Sequence, residues 1–348
     1  MDVTALRALP KALLHDHLDG GLRPETLLEL ADDGGYGELP AGDPAALAAW
    51  FHQGRSGSLE RYLEAFRHTT AVMQTPDALR RVAYEAGLDL AADGVVYAEL
   101  RFGPSLHLRG GLSREDVIEA VLDGLSAASR DGSIALYAIA TALRHESDSD
   151  LVARAAIPFL DAGLVAFDLA GPEAGFPPDD HLPALRRARE AGLGITIHAG
   201  EGDGAHSVWR ALARGGAQRL GHGVRVAEDT TVREGRIVAL GALARRVRDH
   251  RVPLEVAITS NLHTGVVSDV AAHPFGALHA AGFRVTLNTD NRLMSGTDLT
   301  TEYALAAETF ALERRELGEI TVTALEAGFG PWPVRRRLID EVVRPAYA

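Results

Sequence analysis

Apolar and β-branched residues gather in eight short runs separated by longer amphipathic stretches. The runs cover Ala12–Asp16, Val95–Phe102, Ile134–Thr141, Leu164–Ala170, Gly194–His198, Arg219–His222, Leu254–Ser260 and Arg284–Asp290, each short enough for one buried strand. Between them, Pro76–Ala92, Ser113–Ala128, Ser149–Ala162, Asp180–Ala191, Ser207–Arg214, Asp229–His250 and Pro274–Ala281 repeat at helical spacing, several opened by Ser, Asp or Pro and closed by Gly. Alternation of this kind predicts parallel strands joined by crossover helices. A TIM (β/α)8 barrel is the closed solution, and a doubly wound open sheet satisfies the same periodicity. Residues 21–75 predict a long helical insertion after the first strand, a candidate lid, and residues 299–348 predict extra C-terminal helices. No linker or repeat divides the chain, so 1–348 is read as a single domain.

Polar residues collect at the ends of the strand runs. These ends read His15-Asp16-His17-Leu18-Asp19-Gly20, Asp168-Leu169-Ala170-Gly171, His198-Ala199-Gly200-Glu201, Gly221-His222-Gly223, Ser260-Asn261 and Asn288-Thr289-Asp290-Asn291. A barrel brings such ends to one face, where groups remote in sequence form a site.

Composition narrows the chemistry. The chain has no cysteine, which excludes disulfides, thiolate nucleophiles and cysteine-ligated metals; a tightly held transition metal must use histidine and carboxylate. The net charge of −13 argues against a nucleic-acid partner, whose phosphates need a basic surface. Lys11 is the sole lysine among 35 basic residues, a bias attributed to GC-rich codons. No stretch approaches the ~18 apolar residues of a membrane span, and the N-terminus lacks a signal-peptide pattern. The expectation is a cytoplasmic enzyme acting on a small molecule, with no membrane partner.

His15 and His17, two apart on an extended run, point the same way and can chelate one ion. His198 and Asp290 add a nitrogen and a carboxylate oxygen, a set suited to Zn2+, with Fe2+, Co2+ or Mn2+ as alternatives. Such an ion lowers the pKa of water and presents hydroxide to an electrophilic carbon. Glu201 and His222 are the available acid and base, although a loop Glu can also cap a helix and a buried His can satisfy a carbonyl. Two other motifs are set aside. Gly200-Glu201-Gly202-Asp203-Gly204 follows a strand like a phosphate loop but lacks the glycine spacing of a dinucleotide site and the Lys-Ser/Thr of a P-loop. His145-Glu146 opens like a zincin motif, but Ser149 stands where the second His belongs.

These segments, with Val96-Tyr97-Ala98-Glu99-Leu100-Arg101-Phe102, resemble the adenosine deaminase family of metal-dependent amidohydrolases, in order and spacing over nearly the whole chain. The resemblance implies a TIM barrel with one Zn2+ per subunit on His15, His17, His198 and Asp290, and deamination of adenosine, with 2′-deoxyadenosine, by hydroxide attack at purine C6. It implies that Glu201 protonates N1 and that His222, with Asp290, orients and deprotonates the water. It places His17, Asp19, Gly171 and Asn291 against the substrate: Gly171 as a backbone donor to N3, and Asp19 on the ribose 5′-hydroxyl. Adenine deaminases resemble the same motif with Glu in place of Asp19, so Asp19 favours a nucleoside over free adenine; Asp before Gly is also good turn chemistry.

Three positions depart from the family pattern. Asn291 stands where many relatives carry a second Asp facing purine N7, and its amide can still donate there. His263 replaces a more usual Gln, and His206 lies beside the Glu201 loop; both are expected near the substrate entrance. They leave open a modified adenosine as substrate, and a non-catalytic nucleoside-binding relative is the remaining alternative.

Overall fold

Ten strands form in the computed structural model, which describes residues 2–52, 54 and 56–348; Met1, Gln53 and Arg55, two of them inside the 21–75 insertion, lie outside the described residues. They are β1 (Lys11–His17), β2 (Val95–Phe102), β3 (Ala135–Leu143), β4 (Leu164–Ala170), β5 (Gly194–Ala199), β6 (Arg219–His222), β7 (Thr230–Arg233), β8 (Arg236–Leu240), β9 (Leu254–Val256) and β10 (Val285–Leu287). Eight of them pair in parallel in the order β1-β2-β3-β4-β5-β6-β9-β10. Beyond β10 the chain returns to β1: the His17 N–H donates to the Asp290 carbonyl at 2.7 Å and the Asp290 N–H to the His15 carbonyl at 2.9 Å. An open doubly wound sheet makes no such return, so the architecture is the barrel.

Closure depends on a local irregularity in β1. Leu13 pairs with Ala98 but Asp16 with Leu100, so β1 carries one extra residue between them. The Leu14 and His15 N–H groups freed there both donate to Asn288 Oδ1, at 3.0 and 3.1 Å. His15 lies within the bulge and His17 just beyond it, so the irregularity helps to set their direction. Strands β4, β5, β6, β9 and β10 are buried along their whole lengths, as expected for strands covered on both faces.

Two predicted elements are corrected. Asp229–His250 is not one helix: it holds the antiparallel β7–β8 hairpin, followed by a helix over Ala242–Asp249. Thr230, Thr231, Val232, Ile237 and Val238 are β-branched, and Glu234 and Gly235 adopt φ of 51° and 72°, the left-handed pair that a tight two-residue hairpin turn requires. The Leu254–Ser260 run is strand only to Val256, after which Ile258–His263 is helical, so Ser260 and Asn261 project from a helical turn. Buried Glu302 accepts the Thr259 N–H at this junction.

The insertion is helical over Pro24–Asp33, Pro44–Phe51, Leu59–Leu63 and Phe66–Val72, with Asp43 and Ser58 accepting backbone N–H groups as N-caps. Helices Leu299–Phe310, Arg314–Ala327 and Trp332–Arg337 follow the barrel. At the opposite end from the polar strand ends, the buried Lys11 ammonium donates to the carbonyls of Leu6 and Leu9, and burial lowers its pKa to about 8. No helix among the described residues is long and apolar enough to cross a membrane.

Candidate active site

His15 and His17 flank Asp16 on β1, His198 stands on β5, and Asp290 follows β10 with a φ of 59°. His15 Nε2 lies 3.2 Å and His17 Nε2 3.4 Å from Asp290 Oδ1, and His17 Nε2 lies 3.2 Å from His198 Nε2. The four donor atoms fall within 4.8 Å of one another. Separations of this size suit ligands that each stand about 2.0–2.2 Å from a shared ion. The outward atoms are already engaged: His15 Nδ1 with Glu255 at 2.9 Å, His198 Nδ1 with Asp168 at 3.1 Å, and Asp290 Oδ2 with the Ser260 hydroxyl at 2.5 Å. Carboxylates behind imidazoles fix the tautomer that turns Nε2 inward. The residues fit a divalent metal.

Those carboxylates are held ionised by buried cations. Arg101 donates to Glu255 at 2.6 Å and to Asp168 at 3.2 Å; Arg219 donates to Glu255 at 2.6 Å and pairs with Glu99 at 2.7 Å. Burial alone would raise Glu255, but Arg219 and Arg101 outweigh it and keep it well below the usual carboxylate range. His198 and Arg101 do the same for Asp168. Burial lowers His17 and His198, leaving them neutral as ligation requires.

Glu201 and His222 complete the polar wall. Glu201 Oε1 accepts from the Thr264 hydroxyl at 3.0 Å, and its Oε2 lies 3.4 Å from His222 Nε2. Burial, then the charges of Asp290 and Glu173, push Glu201 well above the usual carboxylate range, which favours its protonated, donating form. Glu201 does not cap the following helix, whose N-cap is Gly204. The protonation of His222 follows from a relay that starts on the backbone. The Phe275 N–H donates to His273 Nδ1 at 3.0 Å, so neutral His273 carries its proton on Nε2, which donates to Asn261 Oδ1 at 3.2 Å. The Asn261 amide must then donate to His222 Nδ1, at 3.0 Å. Neutral His222 therefore bears its proton on Nε2, the atom facing Glu201.

His17, His198, Glu201, His222 and Asp290 border a cavity of about 340 Å3, a size suited to a small ligand. His17, Asp19, Gly171 and Asn291 line it with the apolar face of Leu59, Tyr62, Leu63 and Phe66 from the insertion. Asp19 is buried with Oδ1 unpaired, and burial pushes it up to about 7. Gly171 has a φ of 99°, and a Cβ there would meet His145 Nδ1 at 3.1 Å. Asn291 Oδ1 packs so closely on Gly20 that a Cβ at position 20 would stand 2.1 Å away. The Tyr62 hydroxyl reaches Ser295 at 2.8 Å, tying the insertion to the turn after Asn291.

His206 and His263 are not among the described residues that line this cavity. His206 is exposed and stacks on Trp209, because it falls on the outer face of the helix Ala205–Ala213; His263 is buried against His52. Neither side chain lines the cavity. Sequence reasoning assigned no role to Glu255, Arg219, Thr264, Arg144 or Glu173. Glu255 leaves a detectable signal, a lone charge inside an otherwise apolar strand, and Arg219 a charge at the start of one. Tyr62 was also missed, although Leu59, Tyr62, Leu63 and Phe66 repeat at i, i+3, i+4 and i+7.

The chain matches the family described as adenosine deaminase over residues 10–345. It is 51% identical to the adenosine deaminase of Mycobacterium tuberculosis strain H37Rv, over 99% of this chain and 96% of the relative. The Mycobacterium leprae adenosine deaminase is 50% identical over the same shares. Among solved structures, adenine deaminase from Arthrobacter aurescens superposes with a TM-score of 0.87 at 27% identity, covering 98% of this chain and all of that one. The N6-methyl-AMP deaminase of Arabidopsis thaliana reaches 0.81 at 27% identity, covering 97% of each chain.

Proposed function

The chain belongs to the adenosine deaminase family, and from that premise we propose how its residues divide the work. Its activity is hydrolytic deamination: adenosine and water become inosine and ammonia. His15, His17, His198 and Asp290 hold one Zn2+ per subunit. When bound, the ion supplies the Lewis acidity that brings the pKa of water toward neutrality.

The chain's own groups do the rest. Protonated Glu201 donates to purine N1, which makes C6 electrophilic. His222, with its proton on Nε2, orients the water and stabilises the oxygen as it gains charge at C6. Because that tautomer is set by Asn261 and His273, the water's proton goes to Asp290. The amino nitrogen then takes that proton from Asp290, the C6–N bond breaks as the C6 hydroxyl returns a proton to Glu201, and ammonia leaves inosine behind. The Gly171 N–H meets N3, the Asn291 amide donates to N7, and Asp19 accepts from the ribose 5′-hydroxyl. Both adenosine and 2′-deoxyadenosine carry that hydroxyl, so both are substrates, and residues 1–348 act as one cytoplasmic catalytic unit on a free nucleoside.

The observation that carries this assignment is the Glu201 carboxyl and His222 Nε2 converging, 3.4 Å apart, beside the His/Asp donor set on one cavity. With His206 and His263 outside the cavity, of the three departures only Asn291 still points to a modified nucleoside. Ammonia release from adenosine by metal-replete protein tests the roles. Glu201→Gln and His222→Ala are each expected to lower turnover by about 10²–10⁴-fold with the fold intact; unchanged turnover in either refutes that residue's role.

A further inference from the structure

The glycine-rich segment after β5 has the form of an anion loop, and its anion is supplied by the chain itself. Glu173, five residues beyond Asp168, is buried. Its Oε1 accepts the Gly200 N–H at 2.6 Å, and its Oε2 accepts the N–H groups of Glu201, Gly202 and Asp203 at 3.0, 2.8 and 3.1 Å. Four successive amides thus converge on one carboxylate, the nest geometry that otherwise binds phosphate. From the other side, buried Arg144 donates to the His198 carbonyl at 2.6 Å. The segment from His198 to Asp203 is gripped by a cation on its carbonyl and an anion on its amides.

This grip has a direct consequence for Glu201. Its own N–H and those on both sides of it are fixed, so its Cα cannot drift, and the Thr264 hydroxyl then suffices to aim its carboxyl. We infer that Glu173 is a positioning residue for the reaction, holding Glu201 at the distance from which it reaches the purine. The inference rests on the proposed acid role of Glu201. A neutral amide cannot replace the carboxylate, because its NH2 would face at least one of the four N–H donors.

Turnover with adenosine, zinc content and melting temperature of Glu173→Gln, Glu201→Gln and the double variant test this. Misplacing a reacting group by about 1 Å can cost about 10²-fold. Glu173→Gln is expected to lower kcat by about 10–100-fold, with KM within about threefold and full zinc content. In the Glu201→Gln background the same change is expected to cost no more than about threefold, because its effect passes through Glu201. Wild-type kcat in Glu173→Gln, loss of zinc, or a full repeat of the loss in the Glu201→Gln background overturns the inference. Unchanged turnover in Glu201→Gln instead sinks the acid assignment, and the inference with it. If Glu173→Gln does not fold, Glu173→Asp decides: it keeps the charge but withdraws it by one methylene. A kcat loss of about tenfold at full zinc content supports positioning, and wild-type kcat overturns it.

Discussion

The two sides of the cavity are built differently. On the side that carries the reaction, nearly every polar atom has a partner behind it: Glu255 behind His15, Asp168 behind His198, Ser260 behind Asp290 and Asn261 behind His222. Two buried arginines in turn hold Glu255 and Asp168. On the side proposed to meet the substrate, the wall is largely apolar, from Leu59 to Phe66, and Asp19 Oδ1 on it is left without a partner. Among the polar tethers that fasten the insertion over the site are Tyr62 to Ser295 and the Ser56 hydroxyl and Gly57 N–H to the His263 carbonyl. Chemistry needs groups that do not reorganise as charge moves, whereas recognition needs groups whose partner arrives with the ligand.

If that contrast holds, damage behind the reaction side should appear in the metal, and damage on the substrate side in KM. The largest effect is expected for Asp168→Asn and Glu255→Gln, which remove the carboxylates behind two ligands. Each should weaken zinc affinity by about 10–100-fold, measured by competition with a chelator, without entering the cavity. Asp19→Asn should raise KM for adenosine by about tenfold and leave kcat and zinc affinity near wild type; a loss confined to kcat would erase the division between the two sides.

The smallest effect concerns pH. Burial lowers His273 to about 4, and its Nδ1 already accepts the Phe275 N–H, so protonation sets donor against donor. The folded pKa lies below the unfolded value near 6.5, so this group's contribution is complete above 6.5 and is lost as pH falls toward 4. Between pH 6.5 and 5.5 the cost is about 1 kcal/mol. His107, buried behind the insertion on the Met73 carbonyl and also lowered to about 4, adds a similar slope. Denaturant unfolding of His273→Gln across this window should therefore show an acid dependence shallower by about 0.7 proton, with the His107 share remaining.

The same contrast explains what could be read from the chain alone. Strand alternation and the residues at strand ends brought out the barrel and the cluster of His15, His17, His198, Glu201, His222 and Asp290, because those groups sit beside apolar runs of unmistakable period. The β7–β8 hairpin was hidden: its strands are largely exposed, and the basic stretch after them continues in helical period. Glu173 was invisible because its partners are backbone amides, which carry no residue signature, and the glycines flanking Glu201 suggest an external phosphate rather than a carboxylate of the same chain. His206 and His263 were misplaced because adjacency to a site loop does not reveal which helix face a side chain takes.

The most direct test of the whole account is kcat/KM of the zinc-loaded wild-type protein for adenosine, free adenine and adenosine 5′-monophosphate, followed by ammonia release. Buried Asp19, lining the cavity, predicts adenosine ahead of both by about 100-fold or more, because adenine offers it no hydroxyl and the monophosphate puts a charged, bulky group where a buried carboxyl awaits a hydroxyl. Equal or faster turnover of adenine or of the monophosphate would contradict the account.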